Sequence, residues 1–301
     1  MNRRDYLHSL AALSLMPLTL TSMGSAEPLI KRIIPASGEK ITPVGVGTWQ
    51  TFDAGSSEQE SEPLRGVLKA LIEKSGTVID SSPMYGRSQQ VAGTLSTEMD
   101  LNSKLFIATK VWTTGQQEGI EQMNRSMASL KRTKIDLMQV HNLVDWQSHL
   151  KTLKDWKDQG KIRYIGITHY LESAYDEVER IMKGETIDFL QINYSLASRT
   201  AAERLFPLAQ ERRMGVIINQ PFEEGGLFRS VKGKALPEWA SEFDCNSWAQ
   251  FFLKFIIAEP AVTCVVPGTS KPQHMLDNMG AAFGKLPTEK QRSEMIKLIN
   301  V

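Results

Sequence analysis

The sequence predicts an α/β chain folded as one closed (β/α)8 barrel, a TIM barrel, with a short hairpin in front of it. Three observations carry that expectation. Strand-like and helix-like stretches alternate about eight times through the chain. No linker or second composition regime divides them, and about 250 residues is the usual length of such a barrel. No Gly-x-Gly-x-x-Gly turn stands at a strand–helix junction, whereas an open doubly wound sheet, the alternative, usually has one after its first strand.

In chain order the hairpin comes first, with Ser37-Gly38-Glu39-Lys40 as a turn between Ile33-Ile34 and Ile41-Thr42. Short β-branched runs then fall at 44–47, 77–79, 105–109, 135–140, 162–167, 187–192, 215–218 and 262–266. Helical periodicity covers 63–74, 89–97, 116–130 and 146–159 in the first half. It returns at 171–182, 201–212, 247–258 and 272–282, and a last helix is expected over 290–299. Pro63 reads as a first-turn proline and Ser88 as an N-cap. Glu223-Glu224 beside Gly225-Gly226 reads as a solvated mobile loop.

Residues 1–26 stand outside this pattern. Arg3-Arg4 precede an uncharged, mostly apolar run over 10–20, and Gly24-Ser25-Ala26 supply a small-x-small cleavage site. The run is too short for the ~20 residues of a spanning helix, and Pro17 interrupts it. Paired arginines followed by Tyr6 and Leu7 resemble a twin-arginine export signal. The expected organisation is a signal peptide over 1–26, cut after Ala26, and a barrel over 27–301. The export machinery is then a partner and the periplasm the destination. Twin-arginine export carries proteins that are already folded.

Composition narrows the function. The chain has 301 residues, 41% of them hydrophobic, which excludes disorder. Its formal charge of +1 comes from the leader, so the remainder is neutral and no nucleic-acid partner is indicated. Two cysteines, Cys245 and Cys264, make neither a disulfide framework nor a four-cysteine zinc site, and their pairing stays open.

Three consecutive expected strands each end in an ionisable residue, namely Asp80, Lys110 and His141, and Tyr85 follows Asp80 by five positions. Barrel active sites form at the C-terminal rim, where neighbouring strands lie about 4.8 Å apart, so these groups converge. A tyrosine titrates near ~10 and serves as a proton donor if a buried ammonium stabilises its phenolate. Lys110 fills that role, Asp80 keeps it charged, and His141 orients a carbonyl oxygen. Such a site suits carbonyl reduction, but no side chain supplies hydride, so a nicotinamide cofactor is implied. A lysine at a strand end also suits a Schiff-base aldolase, and a barrel that binds nicotinamide as a slow sensor is a third reading.

These residues resemble the aldo/keto reductase family. The run Asp80-Ser81-Ser82-Pro83-Met84-Tyr85-Gly86-Arg87-Ser88 matches its signature, and Thr109-Lys110 and Val140-His141 follow in family order. Pro43-Val44-Gly45-Val46-Gly47-Thr48-Trp49 looks like its first strand. The resemblance implies NADPH-dependent reduction of aldehydes or ketones without metal, with Tyr85 as general acid, Lys110 and Asp80 tuning it and His141 orienting the carbonyl.

The resemblance also implies a cofactor site. Thr48, the Thr168-His169 pair and Gln191 fall where the family holds the nicotinamide end. Asn219-Gln220-Pro221-Phe222 stands where the family often has a stacking aromatic, which assigns Asn219 and Phe222 to the cofactor. Thr269, Ser270, Lys271, His274, Asp277 and Asn278 match the 2′-phosphate and adenine segment, with His274 replacing the usual arginine. NADPH is preferred over NADH. Trp49 and Trp112 are expected to line the substrate pocket, and the short tail after 290–299 implies an open site for broad or bulky carbonyls in a monomer.

Overall fold

The computed structural model describes residues 27–55 and 57–299. Strands β1 (Arg32–Ile33) and β2 (Lys40–Ile41) pair antiparallel as the expected hairpin. The parallel strands are β3 (Val46–Gly47), β4 (Val78–Asp80), β5 (Phe106–Val111), β6 (Ile135–His141), β7 (Ile162–Thr168), β8 (Phe189–Asn193), β9 (Gly215–Asn219) and β10 (Val262–Val265). Each pairs with the next in chain order. Bridges Val44–Val265 and Gly47–Gly268 return the last strand to the first, which closes the barrel. At that seam Gly47 is required, because a Cβ there would lie 2.8 Å from the Val266 carbonyl oxygen.

The helices are α1 (Glu58–Glu73), α2 (Ser88–Glu98), α3 (Gln116–Ser129), α4 (Trp146–Asp158) and α5 (Tyr175–Gly184). They continue with α6 (Thr200–Glu211), α7 (Gly226–Ser230), α8 (Trp248–Ile257), α9 (Pro272–Gly280) and α10 (Glu289–Ile299). The period of two along each strand sorts the core into two compartments. Outward residues such as Ile79, Ile107, Met138, Val140, Ile165 and Ile167 pack against the helices. Inward residues Val78, Phe106, Ala108, Leu137, Tyr164, Phe189, Ile217 and Cys264 form a separate inner core, sealed below by Ile34 and Ile41 of the hairpin. Tyr164 meets Phe106 at 6.0 Å and Phe189 at 5.4 Å, an aromatic floor on which the upper layer rests.

The structure corrects several local expectations. Pro63 is inside α1, not in its first turn. The helix starts earlier because Ser57 accepts from the Glu60 amide and donates to the Glu60 carboxylate at 2.5 Å. Ser88 is the first residue of α2 rather than its cap, and its hydroxyl instead donates to the Thr48 carbonyl at 3.1 Å. The expected loop at Glu223-Glu224 is a tight turn over Glu223–Gly225, with all three residues at positive φ (51°, 50° and 83°), that runs into α7. Ser195 Oγ donates to Glu223 at 2.5 Å and anchors it. A 3-10 turn, Glu238–Phe243, carries no periodicity that would have announced it.

The signal-peptide expectation falls on 1–26, outside the described residues. Among the described residues no helix is long and apolar enough to cross a membrane. Both cysteines are free and buried, Cys245 in the outer core and Cys264 in the inner.

Candidate active site

The inward-facing positions that form the core of the barrel turn polar at its C-terminal rim. Asp80, Lys110, His141, Thr168, Gln191 and Asn219 each lie two or four residues beyond an inner-core residue of the same strand. The same alternation that packs the inner core therefore delivers six polar side chains to one face.

Lys110 is the hub. Its Nζ lies 2.8 Å from both carboxylate oxygens of Asp80 and 2.8 Å from the Ser81 carbonyl oxygen, and it is 1% exposed. It also sits 5.2 Å from the centre of the Tyr85 ring. Burial pulls the ammonium towards neutrality, but Asp80 and the Tyr85 phenol outweigh it and hold Lys110 above the ordinary lysine range. Burial raises the Tyr85 phenol while Lys110 pulls it back, leaving it somewhat above the ordinary tyrosine value and protonated at neutral pH.

His141 is buried, with Nδ1 at 3.0 Å from Ser82 Oγ. Burial, then the Lys110 charge, push its pKa down to about 3, so the ring is neutral. Ser82 Oγ accepts from the Met84 amide at 3.5 Å and keeps a hydroxyl proton that can be given to His141 Nδ1. In the tautomer with that arrangement the ring proton is on Nε2, a donor for a carbonyl oxygen. The Tyr85 and His141 rings meet edge to face at 5.9 Å, and Trp112 lies 6.4 Å from His141 on another side.

A braced loop holds Tyr85 over this layer. Thr48 Oγ1 donates to Ser81 Oγ at 2.9 Å, and Asp53 accepts the Arg87 amide at 2.9 Å. Gly86 turns the chain with φ +57°, and a Cβ there would lie 2.4 Å from the Asp53 carboxylate. Gln89 reaches Thr109 Oγ1 at 2.6 Å and fixes the start of α2 on β5.

One participant, Gln139, escaped the sequence reading, and it acts through Gln191. Gln191 Nε2 donates to Asp80 Oδ2 at 3.0 Å, and Gln139 Nε2 donates to Gln191 Oε1 at 2.8 Å. Asp80 only accepts, which fixes the direction of the whole chain. Gln139 Oε1 is left buried without a partner. The available signal was alternation, since Leu137, Gln139 and His141 share the inward face of β6.

The residues assigned to a cofactor divide. Thr168 is buried at the rim; His169 Nδ1 accepts the Leu171 amide at 3.0 Å and the ring stacks on Tyr170 at 5.6 Å. Burial lowers the His169 pKa, so its free Nε2 carries the proton. Asn219 Oδ1 is buried without a partner. Ser270, Lys271 and His274 are exposed around the N-terminus of α9, while Thr269 is buried and accepts the Lys271 amide at 3.1 Å. Other assigned side chains are engaged elsewhere. The Thr48 hydroxyl braces Ser81. Phe222 packs on Phe228 at 4.8 Å. Asp277 accepts from Ser247 and Gln250, both at 2.8 Å, and ties α8 to α9, where Asn278 is also buried. Trp49 and Trp112 are exposed at the rim. Among the described residues no cluster of metal-ligand side chains occurs.

A barrel rim that sets a phenol over a buried lysine–carboxylate pair can give a proton to an oxygen that gains negative charge. Comparison supplies the class. A profile described as Aldo/keto reductase family matches residues 43–298, and the chain belongs to that family of NAD(P)H-dependent oxidoreductases. Methylglyoxal reductase YeaE of Escherichia coli (strain K12) is 28% identical over 261 residues, 82% of this chain and 88% of that protein. The aldo/keto reductase from Klebsiella pneumoniae, solved in complex with NADP and acetate, shares the fold with a TM-score of 0.76. It is 21% identical over 90% of this chain and 95% of its own. The glycerol dehydrogenase AKR11B4 of Gluconobacter oxydans has a TM-score of 0.72 at 17% identity, covering 89% and 94%.

Proposed function

We propose that the protein reduces an aldehyde or ketone with NADPH, using Tyr85 as the proton donor. The observation that carries this reading is Lys110, buried under the Tyr85 ring and held at 2.8 Å by both oxygens of Asp80. A fixed ammonium beneath a protonated phenol favours loss of the phenolic proton at the moment a carbonyl oxygen gains negative charge. His141 Nε2–H donates to that same oxygen and sets its direction. Asp80 keeps Lys110 charged throughout, so Lys110 is not the free amine that a Schiff base needs.

The rim residues fit a nicotinamide nucleotide. Asn219 Oδ1 and Asn193 Oδ1 are buried acceptors without donors, and Thr168 and His169 Nε2 offer hydrogen bonds beside them, which suits a carboxamide. When bound, the cofactor supplies hydride. Lys271, Ser270, His274 and the N-terminus of α9 would hold its 2′-phosphate, which favours NADPH over NADH. Exposed Trp49, Met84, Trp112, Tyr170 and Leu171 give the rim an apolar, open wall suited to bulky or aromatic carbonyls. NADPH oxidation against a panel from methylglyoxal to aromatic aldehydes tests the reading. No turnover of any carbonyl, or equal dissociation constants for NADPH and NADH, would count against it. We further propose that residues 1–26 send the folded barrel to the periplasm by the twin-arginine route.

A further inference from the structure

On the N-terminal face of the barrel, opposite the rim site, a cavity opens between β2 and the segments that lead into β4, β5 and β6. Its lining carries Lys40, Lys104, Lys131, Arg132, Lys134 and Arg163 against two carboxylates, Glu39 and Asp136. Both carboxylates are already committed. Arg163 pairs with Glu39, and with Asp136 at 2.7 Å. Tyr164 Oη donates to Glu39 at 2.9 Å, and the Ile107 amide to Asp136 at 2.8 Å. Among the described residues none of the other five cations has an ion pair. The lining holds an excess of four positive charges, in a chain whose net charge is +1.

Arg132 deepens that imbalance. It donates to the Asn102 carbonyl, but its Nε and Nη2 are buried without partners. Burial pulls it below the usual arginine range, against the weaker opposing effect of Asp136. A guanidinium keeps its proton in such a place, so a buried positive charge lies beneath a ring of exposed lysines with no anion opposite.

We propose that this cavity is a binding site for a phosphate-bearing anion, gripped by Lys104, Lys131 and Lys134 above the buried charge of Arg132. A single carboxylate would leave most of the excess unanswered, whereas a phosphomonoester or pyrophosphate matches it with several oxygens and charges. The lining offers no exposed aromatic side chain, since Phe106 is buried in the inner core, so recognition is of the phosphate rather than of a base. The phosphate reaches the cavity either on a soluble molecule or on a lipid headgroup.

Titration calorimetry of the full chain with inorganic pyrophosphate, in saturating NADP+, tests the site with the rim supplied with its proposed cofactor. Co-sedimentation with vesicles that contain phosphatidic acid, whose headgroup is a phosphomonoester, provides the lipid arm. The comparison is the Lys104→Gln/Lys134→Gln variant, whose changes are on the far face from Tyr85. Loss of two charge-assisted contacts is expected to weaken pyrophosphate binding at least about tenfold and flatten its salt dependence, with carbonyl reduction unchanged. Vesicle binding alone, lost in the variant, would assign the phosphate to a lipid headgroup. Failure of both probes to bind, or equal binding by the variant, overturns the proposal. Because the variant leaves the rim intact, neither result depends on which carbonyl, if any, the rim reduces.

Discussion

Gln191 Nε2 lies 3.0 Å from Asp80 Oδ2, so the carboxylate that holds Lys110 is itself held from across the barrel. Gln139 completes the arrangement by fixing Gln191 Oε1 at 2.8 Å. Removing Gln139 as Gln139→Leu frees the Gln191 amide to turn, and Asp80 loses a donor. One such hydrogen bond is worth about 1 kcal/mol, so kcat/KM should fall by roughly 3- to 10-fold with its alkaline limb displaced. Stability should change little, because the substitution also removes the unpartnered Gln139 Oε1. An unaltered pH–rate profile would make Gln139 a mere filler.

The Lys110–Asp80 pair is buried, at 1% and 5% side-chain exposure. Lys110→Met leaves a carboxylate with no countercharge and should cost about 3–5 kcal/mol in urea unfolding. The double variant Asp80→Asn/Lys110→Met removes both charges and should recover part of that loss, although neither variant reduces a carbonyl. If the double variant is as unstable as the single, the pair is not what stabilises the layer.

Tyr85→Phe keeps the ring over Lys110 and removes only the transferable proton. Carbonyl reduction should drop by about 10²- to 10⁴-fold while the NADPH dissociation constant is unchanged. In the wild type the phenol is raised by burial, so activity should hold through neutral pH and fall only as alkaline pH removes the phenolic proton. A Tyr85→Phe enzyme with near-normal turnover would remove Tyr85 from the chemistry.

His141 makes stability depend on pH with a definite sign. Its folded pKa is pushed down to about 3 from 6.5, so below pH 6.5 the unfolded state binds the extra proton first. Stability is therefore complete above about pH 6.5 and is lost as pH falls, by at most about 1.4 kcal/mol per unit. His141→Gln should flatten that part of the Tm-versus-pH curve between pH 5 and pH 6.5. Parallel curves for the two proteins would show that other groups govern it.

Much of this was legible because barrel strands alternate strictly. Asp80, Lys110 and His141 end consecutive strands in the sequence, and the structure brings them to one rim. Strand-end residues announce themselves; residues one layer down do not. Gln139 looked like an ordinary mid-strand residue, and only the register that sets it beside Lys110 and Gly166 shows its reach to Gln191. Side-chain direction was equally hidden. Asp277 and Phe222 occupy matching positions in the chain, yet α8 takes the first as a hydrogen-bond partner and the second as a packing partner. Pro63 misled because the stronger Ser57–Glu60 cap lay upstream, and proline marks a helix start only when nothing better precedes it.

The leader can be tested without any knowledge of the substrate. Arg3-Arg4 is the only basic pair before the apolar run, and Gly24-Ser25-Ala26 precedes Glu27. If the twin-arginine machinery reads it, Arg3→Lys/Arg4→Lys should retain the protein in the cytosol with residues 1–26 attached. The wild type should be found in the periplasm with Glu27 at its N-terminus, which peptide sequencing of the fractionated protein reads directly. The folded barrel should carry its nucleotide with it, because that route moves folded proteins and the cofactor is made in the cytoplasm. Extraction of the periplasmic protein in acid should therefore release NADP+ or NADPH in about equimolar amount, as expected for one site on each chain. Undiminished export of the twin-lysine variant would point to the unfolded route, and the cofactor would then have to be acquired outside.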